Sequence, residues 1–275
     1  MNNGTSCDTP RILGIRVDPL NMDSAVAYVS DQIESHRPGY VCLIGVHGII
    51  EAQRDPGLAQ IYERSTMVVP DGTPTVWLGR VQGFEQMQRV AGPDLMLEVL
   101  SNPEFANCRH YLYGGRPGVA EKLKASLIHK FPSVQIVGTY TPPFRNLTTS
   151  EEKLLANDIK RTGANIIWVG ISTPKQERFM VRMLPLLQSG LMFGVGAAFD
   201  FHTGRIKDAP QWIKRAGLQW MHRMLQDPRR LFWRYLRSNS LFLWHLAMQW
   251  TGLRNYPPTD MDSVPQVIQQ KAVNQ

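Results

Sequence analysis

Asp71 occupies a setting that suits proton transfer. The run Val68-Val69-Pro70-Asp71-Gly72-Thr73-Pro74 reads as a β-branched strand end, a tight turn, and a helix with Thr73 as N-cap and Pro74 at its first position. A carboxylate at the carboxyl end of a strand, among helix amino termini, is placed to act on a ligand above an open α/β sheet. An Asp-Gly pair also serves simply to satisfy backbone donors, so the residue types leave both roles open. Cations supply the other half of the chemistry. A basic, aromatic-rich stretch near the carboxyl end carries several arginines, and guanidinium forks meet phosphate oxygens bidentately.

Further candidates fall at equivalent points along the chain. His47 follows the apolar run Tyr40 to Val46, at the sheet level of Asp71, as a hydrogen-bonding group or a substrate contact. Arg89 precedes Asp94 in Arg89-Val90-Ala91-Gly92-Pro93-Asp94-Leu95, and either pairs with it on the surface or reaches the same cleft. Gly114 and Gly115 open a glycine turn between a strand and a helix, where exposed amides and the helix dipole favour an anion. That turn equally makes an ordinary βα connection. Its spacing matches neither a GxGxxG dinucleotide fingerprint nor a P-loop. In Gly170-Ile171-Ser172-Thr173-Pro174-Lys175-Gln176-Glu177, Ser172 and Gln176 can hold sugar or nucleotide hydroxyls, and Glu177 complements the helix dipole. Gly196, in Gly194-Val195-Gly196-Ala197-Ala198, permits close backbone approach to a ligand.

The elements that must position these residues alternate. Strands are expected at Arg11 to Val17, Tyr40 to Val46, the run ending at Pro70, Arg109 to Tyr113, Val134 to Tyr140, Asn165 to Gly170 and Leu191 to Val195, with helical periodicity between most of them. Such alternation implies an α/β fold, a Rossmann-like parallel sheet with right-handed crossovers and helices on both faces. A carboxyl-terminal helical appendage follows, with helices expected over Gln211 to Leu225 and Arg229 to about Trp250. The expected division is a flexible stretch at 1–10, an α/β core at 11–202, the appendage at 203–255 and a disordered tail at 256–275.

The net charge of +7 over 275 residues is concentrated rather than spread. From Gln211 to Arg254 eight Lys and Arg residues face Asp227 alone, so the rest of the chain sums to neutrality. The appendage, not the whole protein, is therefore expected to meet something anionic: lipid, nucleic acid or a phosphorylated substrate. Its aromatics, Trp212, Trp220, Phe232, Trp233, Tyr235, Phe242, Trp244 and Trp250, interleave with the arginines as in a helix lying in a membrane interface. Packing on the core, or self-association into a homo-oligomer, would bury them as well. Cys7, Cys42 and Cys108 are odd in number and widely spaced, which points away from a disulfide framework. The segment Met1 to Pro10 lacks the pattern of a signal peptide, and no window offers the ~20 apolar residues of a spanning helix.

With these motifs in view, the chain resembles the WecG/TagA/CpsF family of bacterial glycosyltransferases from roughly Arg11 to Tyr235. The resemblance is carried by Pro70-Asp71-Gly72, the Arg89 to Leu95 run, Gly170 to Glu177, and Gly194 to Asp200. It continues through Ala209-Pro210-Gln211-Trp212, Gly217-Leu218-Gln219-Trp220 with Arg223, and Asp227-Pro228-Arg229-Arg230 with Arg234. It implies transfer of a sugar from a UDP-sugar to a polyprenyl-diphosphate-linked sugar, with inversion, in surface or exopolysaccharide biosynthesis. The implied place is the cytoplasmic face of the bacterial inner membrane, peripherally bound. Asp71 is implied to be the general base, with Arg89 and Gln176 on the sugar side, where His47 and Thr73 are further candidates for sugar contact. Arg223, Arg230 and Arg234 are implied to close over the diphosphate. One departure stands out: Gly45-Val46-His47 replaces the Thr-Pro-Asn-like turn of many members, which opens the acceptor or the donor sugar to a hexose such as glucose.

Inverting transfer needs a base for the attacking hydroxyl and cations for the departing diphosphate. With no clear Asp-x-Asp metal motif beside the strand-end candidates, arginines rather than a divalent ion are expected to hold the leaving group, and no cofactor is expected. Two other classes compete. A nucleotide-dependent oxidoreductase would share the sheet but lacks the dinucleotide fingerprint. A nucleic-acid-binding module would explain the basic tail but not the constellation at the strand ends, so nucleic acid is not expected as a partner.

Overall fold

The computed structural model describes residues 9–187 and 189–259, and in it the first apolar run folds back on itself. Instead of one strand from Arg11 to Val17, β1 (Arg11–Ile12) and β2 (Ile15–Arg16) form a small antiparallel hairpin outside the main sheet. Leu13 and Gly14 take φ of 50° and 78°, a turn conformation that an extended run would not allow. Helix α1 (Met22–Glu34) follows, its Asn21 cap closing a capping box with Ser24. Strand β3 (Gly39–Ile44) is buried at every position, as a strand covered on both faces must be.

The strand expected to reach Val46 stops at Ile44, because Gly45 is the N-cap of α2 (Val46–Arg54). Pro56, with Asp55 capping, then starts α3 (Pro56–Arg64). Strand β4 (Met67–Pro70) leads to α4 (Thr73–Val81), whose N-cap is Gly72 rather than Thr73; Thr73 and Pro74 fill its first turn. Helix α5 (Gly92–Ser101), β5 (Arg109–Gly114), α6 (Val119–Lys130), β6 (Gln135–Tyr140) and α7 (Thr149–Thr162) come next. Strand β7 (Ile166–Gly170), α8 (Lys175–Met183), β8 (Leu191–Gly194) and α9 (Ala198–His202) complete the alternation.

Six strands form one parallel sheet in the order β4-β3-β8-β7-β5-β6. One apolar cluster, with Ile49, Leu58, Tyr113, Phe179 and Met180, covers one face. The other, with Val29, Leu95, Leu123, Trp168 and Phe193, covers the opposite face. Tyr113 stacks on Phe179 at 4.0 Å between ring centroids and on Tyr140 at 5.7 Å, fixing the end of β5 against α8. Such pairs add about 0.5–1.5 kcal/mol beyond burial.

After α9 the single helix expected over Gln211 to Leu225 is broken. Gly217, at φ 72°, separates α10 (Gln211–Arg215) from α11 (Gln219–Gln226), and α12 (Pro228–Trp250) follows at once. Leu231, Phe242 and Leu246 of α12 are buried, the last two in the same cluster as Ile49 and Ile50 of α2. Tyr256 donates or accepts a 2.6 Å hydrogen bond at His245, so the chain turns back on α12 before residue 259. The expectations for 1–8 and 260–275, and Cys7, lie outside the described residues. Cys42 and Cys108 are buried free thiols. No described helix is long and apolar enough to cross a membrane.

Candidate active site

Strand order reverses between β5 and β7. The chain leaves β5 through α6 toward the edge strand β6, and leaves β7 through α8 toward β8 at the centre. Their helices lie on opposite faces, which opens a crevice at the carboxyl ends of the strands, where such sheets bind ligands. The two turns press together there: Gly115 donates its amide to the Gly170 carbonyl at 3.1 Å. A Cβ on Gly114, at φ 137°, would sit 2.5 Å from that carbonyl oxygen. Gly114 thus serves backbone approach and does not line the cleft, whereas Gly115 does.

Asp71 lies beyond the end of β4, its amide bound to the Ile44 carbonyl at 3.0 Å. Its side chain keeps 39% of its surface accessible and lines the cleft. Withdrawal from bulk water pushes its pKa up to about 6, against the lowering pull of Arg89 and Arg223. Asp94 adds to the rise, while the Gly92 amide at the start of α5 opposes it. Arg89 does not pair with Asp94. Its Nε donates to the Asp71 carbonyl at 3.1 Å, its Nη2 stands 3.7 Å from Asp71 Oδ1, and the same Nη2 donates to Gln219 Oε1 of α11. Asp94 pairs instead with Lys214, at 3.6 Å.

Two arginines of the appendage enter the cleft incompletely bound. The Nε–H groups of Arg223 and Arg234 are buried and have no hydrogen-bond partner. Arg223 lies over the Phe201 ring at 5.3 Å and Arg234 over Tyr235 at 5.3 Å. Burial lowers the Arg234 pKa, and Arg223 and Arg230 lower it further. A buried donor without a partner costs about 1–3 kcal/mol, a cost that an anion placed between these groups would remove. Arg230 lines the same cleft but is tied by its Nε to Asp227 at 2.7 Å.

The β7–α8 turn is braced from inside. The Gln176 amide nitrogen donates to the Gly194 carbonyl at 2.8 Å, and its Oε1 accepts the Gly196 amide at 3.1 Å. Gln176 and Gly196 therefore line the cleft with their polar groups bound to each other. Glu177 is fully buried rather than facing solvent, takes hydrogen bonds from Thr173 and Gln176, and has its pKa raised by burial. Ser172, at φ 75°, is exposed on the cleft rim. His47, in the first turn of α2, lies 3.1 Å by its Nδ1 from the Ser238 hydroxyl of α12, and burial lowers its pKa. Thr73 packs beneath Gly217.

All candidates but Gly114 thus meet in one cleft of about 1190 Å³. It is lined by eight Arg or Lys residues against Asp71 and Asp200, a balance that favours an anionic ligand. Arg116, Lys175 and Arg182 belong to this set and carried no sequence signal, since only the fold brings them to the rim. The lining also includes exposed aromatic side chains, with Trp77 57%, Phe144 90% and Trp250 75% exposed. Among the described residues no group of three or more His, Cys, Asp or Glu side chains is arranged to hold a metal ion. The arrangement can accept a proton at Asp71 while guanidinium groups bind an anion beside it.

A model of the family described as "Glycosyl transferase WecG/TagA/CpsF family" matches residues 10–256. The chain is similar to the N-acetylglucosaminyldiphosphoundecaprenol N-acetyl-beta-D-mannosaminyltransferase of Bacillus subtilis (strain 168). The two are 25% identical over 222 residues, which span 80% of this chain and 83% of the relative.

Proposed function

The chain belongs to the WecG/TagA/CpsF family of glycosyltransferases, and from that premise we propose that it moves a hexosyl group from a UDP-sugar to a polyprenyl-diphosphate-linked N-acetylglucosamine, with inversion. The observation that carries this reading is the meeting of Asp71, its pKa raised to about 6, with Arg223 and Arg234, whose buried Nε–H groups lack partners. In the proposed reaction an acceptor hydroxyl attacks the anomeric carbon and gives its proton to Asp71. The bond from that carbon to the diphosphate oxygen breaks, and UDP leaves with the electron pair. Arg223, Arg234 and Arg230 stabilise the charge that accumulates on it. General-base catalysis of this kind supplies about 10²–10⁴ in rate.

The exposed apolar side chains of Trp77, Phe144, Leu243 and Trp250 in the lining suit the first isoprene units of the acceptor, which must arrive from a lipid phase. The exposed aromatic face of α12 supports peripheral binding to an anionic membrane. The leaving group is held by arginines, so turnover is expected to survive a chelator and to gain nothing from added magnesium or manganese. The test is UDP release from membranes carrying the lipid-linked acceptor, with the parent protein and Asp71→Asn compared. The donor panel includes UDP-N-acetylmannosamine, after the sugar named in the Bacillus relative, and UDP-glucose, after the Gly45-Val46-His47 departure. Release that requires one donor and the acceptor, and is lost in the variant, supports the reading. Release indifferent to the acceptor or to Asp71 overturns it.

A further inference from the structure

Arg89 is shared between the core and α11. Its Nε is anchored on the Asp71 carbonyl, which leaves Nη2 to choose between the Asp71 carboxyl and the Gln219 side chain. It donates to Gln219 and stays 3.7 Å from Asp71 Oδ1. Gln219 is itself oriented: its Nε2 donates to Asp208 Oδ1 at 3.2 Å, so its Oε1 faces Arg89. Asp208 is in turn held by Lys214 Nζ at 2.5 Å, and Lys214 reaches Asp94 of α5 at 3.6 Å. A continuous set of polar contacts therefore runs from Asp71 through Arg89, Gln219, Asp208 and Lys214 back to the core at Asp94. A guanidinium beside a carboxylate, with no competing acceptor, closes to a direct pair at about 2.7–2.9 Å.

We infer that Gln219 is a positioning residue for the transfer: it holds the Arg89 guanidinium off the Asp71 carboxyl, so that Asp71 stays basic enough to take the acceptor proton. The inference rests on the reading of Asp71 as the base. The groups that face this carboxyl are Arg89 from the loop before α5, Arg223 from α11, Asp94 and the Gly92 amide from α5. Arg89 is the one whose distance Gln219 sets. With an effective dielectric of about 20, closing the nitrogen–oxygen gap from 3.7 Å to about 2.8 Å lowers the carboxyl pKa by about one unit. It follows that docking of α11 does two things at once: it brings Arg223 to the cleft and keeps the base active.

The test combines two readouts on the full chain. Carboxyl-labelled aspartate is titrated by NMR without substrate, with Asp71 assigned by its loss in Asp71→Asn, and kcat/KM is followed against pH. In Gln219→Ala the Asp71 midpoint and the acidic limb are both expected to move down by about one unit. Turnover should fall by roughly three- to tenfold, part of the base's total contribution, with KM for the donor unchanged. The double variant Gln219→Glu with Asp208→Asn keeps an acceptor on Arg89 and a donor behind it, and should restore both readouts. An unmoved midpoint in Gln219→Ala overturns the inference, as does lost turnover that the double variant fails to restore. Because the titration needs no substrate, failure of the transferase reading would show separately, as absent turnover in the parent protein.

Discussion

The imidazole of His47 and the hydroxyl of Ser238 lie 3.1 Å apart across 191 residues of chain. This contact joins the first turn of α2, at the carboxyl end of β3, to the middle of α12. A hydrogen bond between two partly buried side chains contributes about 0.5–1.5 kcal/mol. A cycle of His47→Ala, Ser238→Ala and the double variant, read by chemical denaturation, should return a coupling energy in that range. A coupling of zero would mean that α12 does not hold this position in solution.

Asp71 must be ionised to act as a base, so kcat/KM should rise with pH through a midpoint of about 6. Stability moves the other way. A carboxyl whose folded pKa is raised favours the folded state at low pH, and that contribution is lost as pH rises from about 4 to about 6. Asp71→Asn should therefore unfold at nearly the parent temperature at pH 4 and at a higher temperature at pH 8, while losing about 10²–10⁴ in turnover. Equal effects on melting at both pH values would contradict the raised pKa.

Arg234 is a partly buried cation beside two others, with its Nε–H buried. Replacing it with Met removes a donor that has no partner in the unliganded protein. The variant should melt at or above the parent temperature, yet bind UDP roughly 10- to 100-fold more weakly, as loss of a charge-assisted bond to phosphate predicts. Calorimetric UDP titration and thermal melts decide this together. A destabilised variant with normal UDP affinity would assign Arg234 a purely structural role.

On α12, Phe232, Leu236, Leu243 and Trp250 are exposed and recur at helical spacings, beside exposed Arg229 and Arg237. If this face meets an anionic membrane, each basic residue contributes about 1 kcal/mol at low salt. Arg229→Gln with Arg237→Gln should lower affinity for anionic vesicles about 30-fold at low ionic strength and less at high. Phe232→Ser with Leu236→Ser should remove the salt-resistant remainder. Vesicle sedimentation at two salt concentrations separates the two, and indifference of binding to both pairs would assign the face to another partner.

The alternation of elements, the parallel sheet and the position of Asp71 at a strand end were legible because they rest on local signals. These are continuous apolar runs such as Tyr40 to Ile44, proline and glycine at turns, and caps such as Asn21. The misread boundaries have equally local causes. Gly45 caps α2 where an apolar run seemed to continue, Leu13-Gly14 turns a run into a hairpin, and Gly217 breaks a periodic stretch into two helices. At Leu13-Gly14 and at Gly217 left-handed backbone outweighed the side-chain pattern, and at Gly45 an earlier helix start did.

By itself the sequence determined which chemical groups the protein has and the order in which strands present them, since both follow from residue type and near-neighbour spacing. It also determined that the net positive charge is concentrated in residues 211–254. Only the tertiary structure decided which groups meet. Arg89 turned to Asp71 and Gln219 rather than to Asp94, Glu177 went into the core, and His47 found Ser238. The reason is that these contacts join residues separated by whole elements, and their distances depend on how the sheet and the appendage helices pack. No spacing along the chain encodes such a distance.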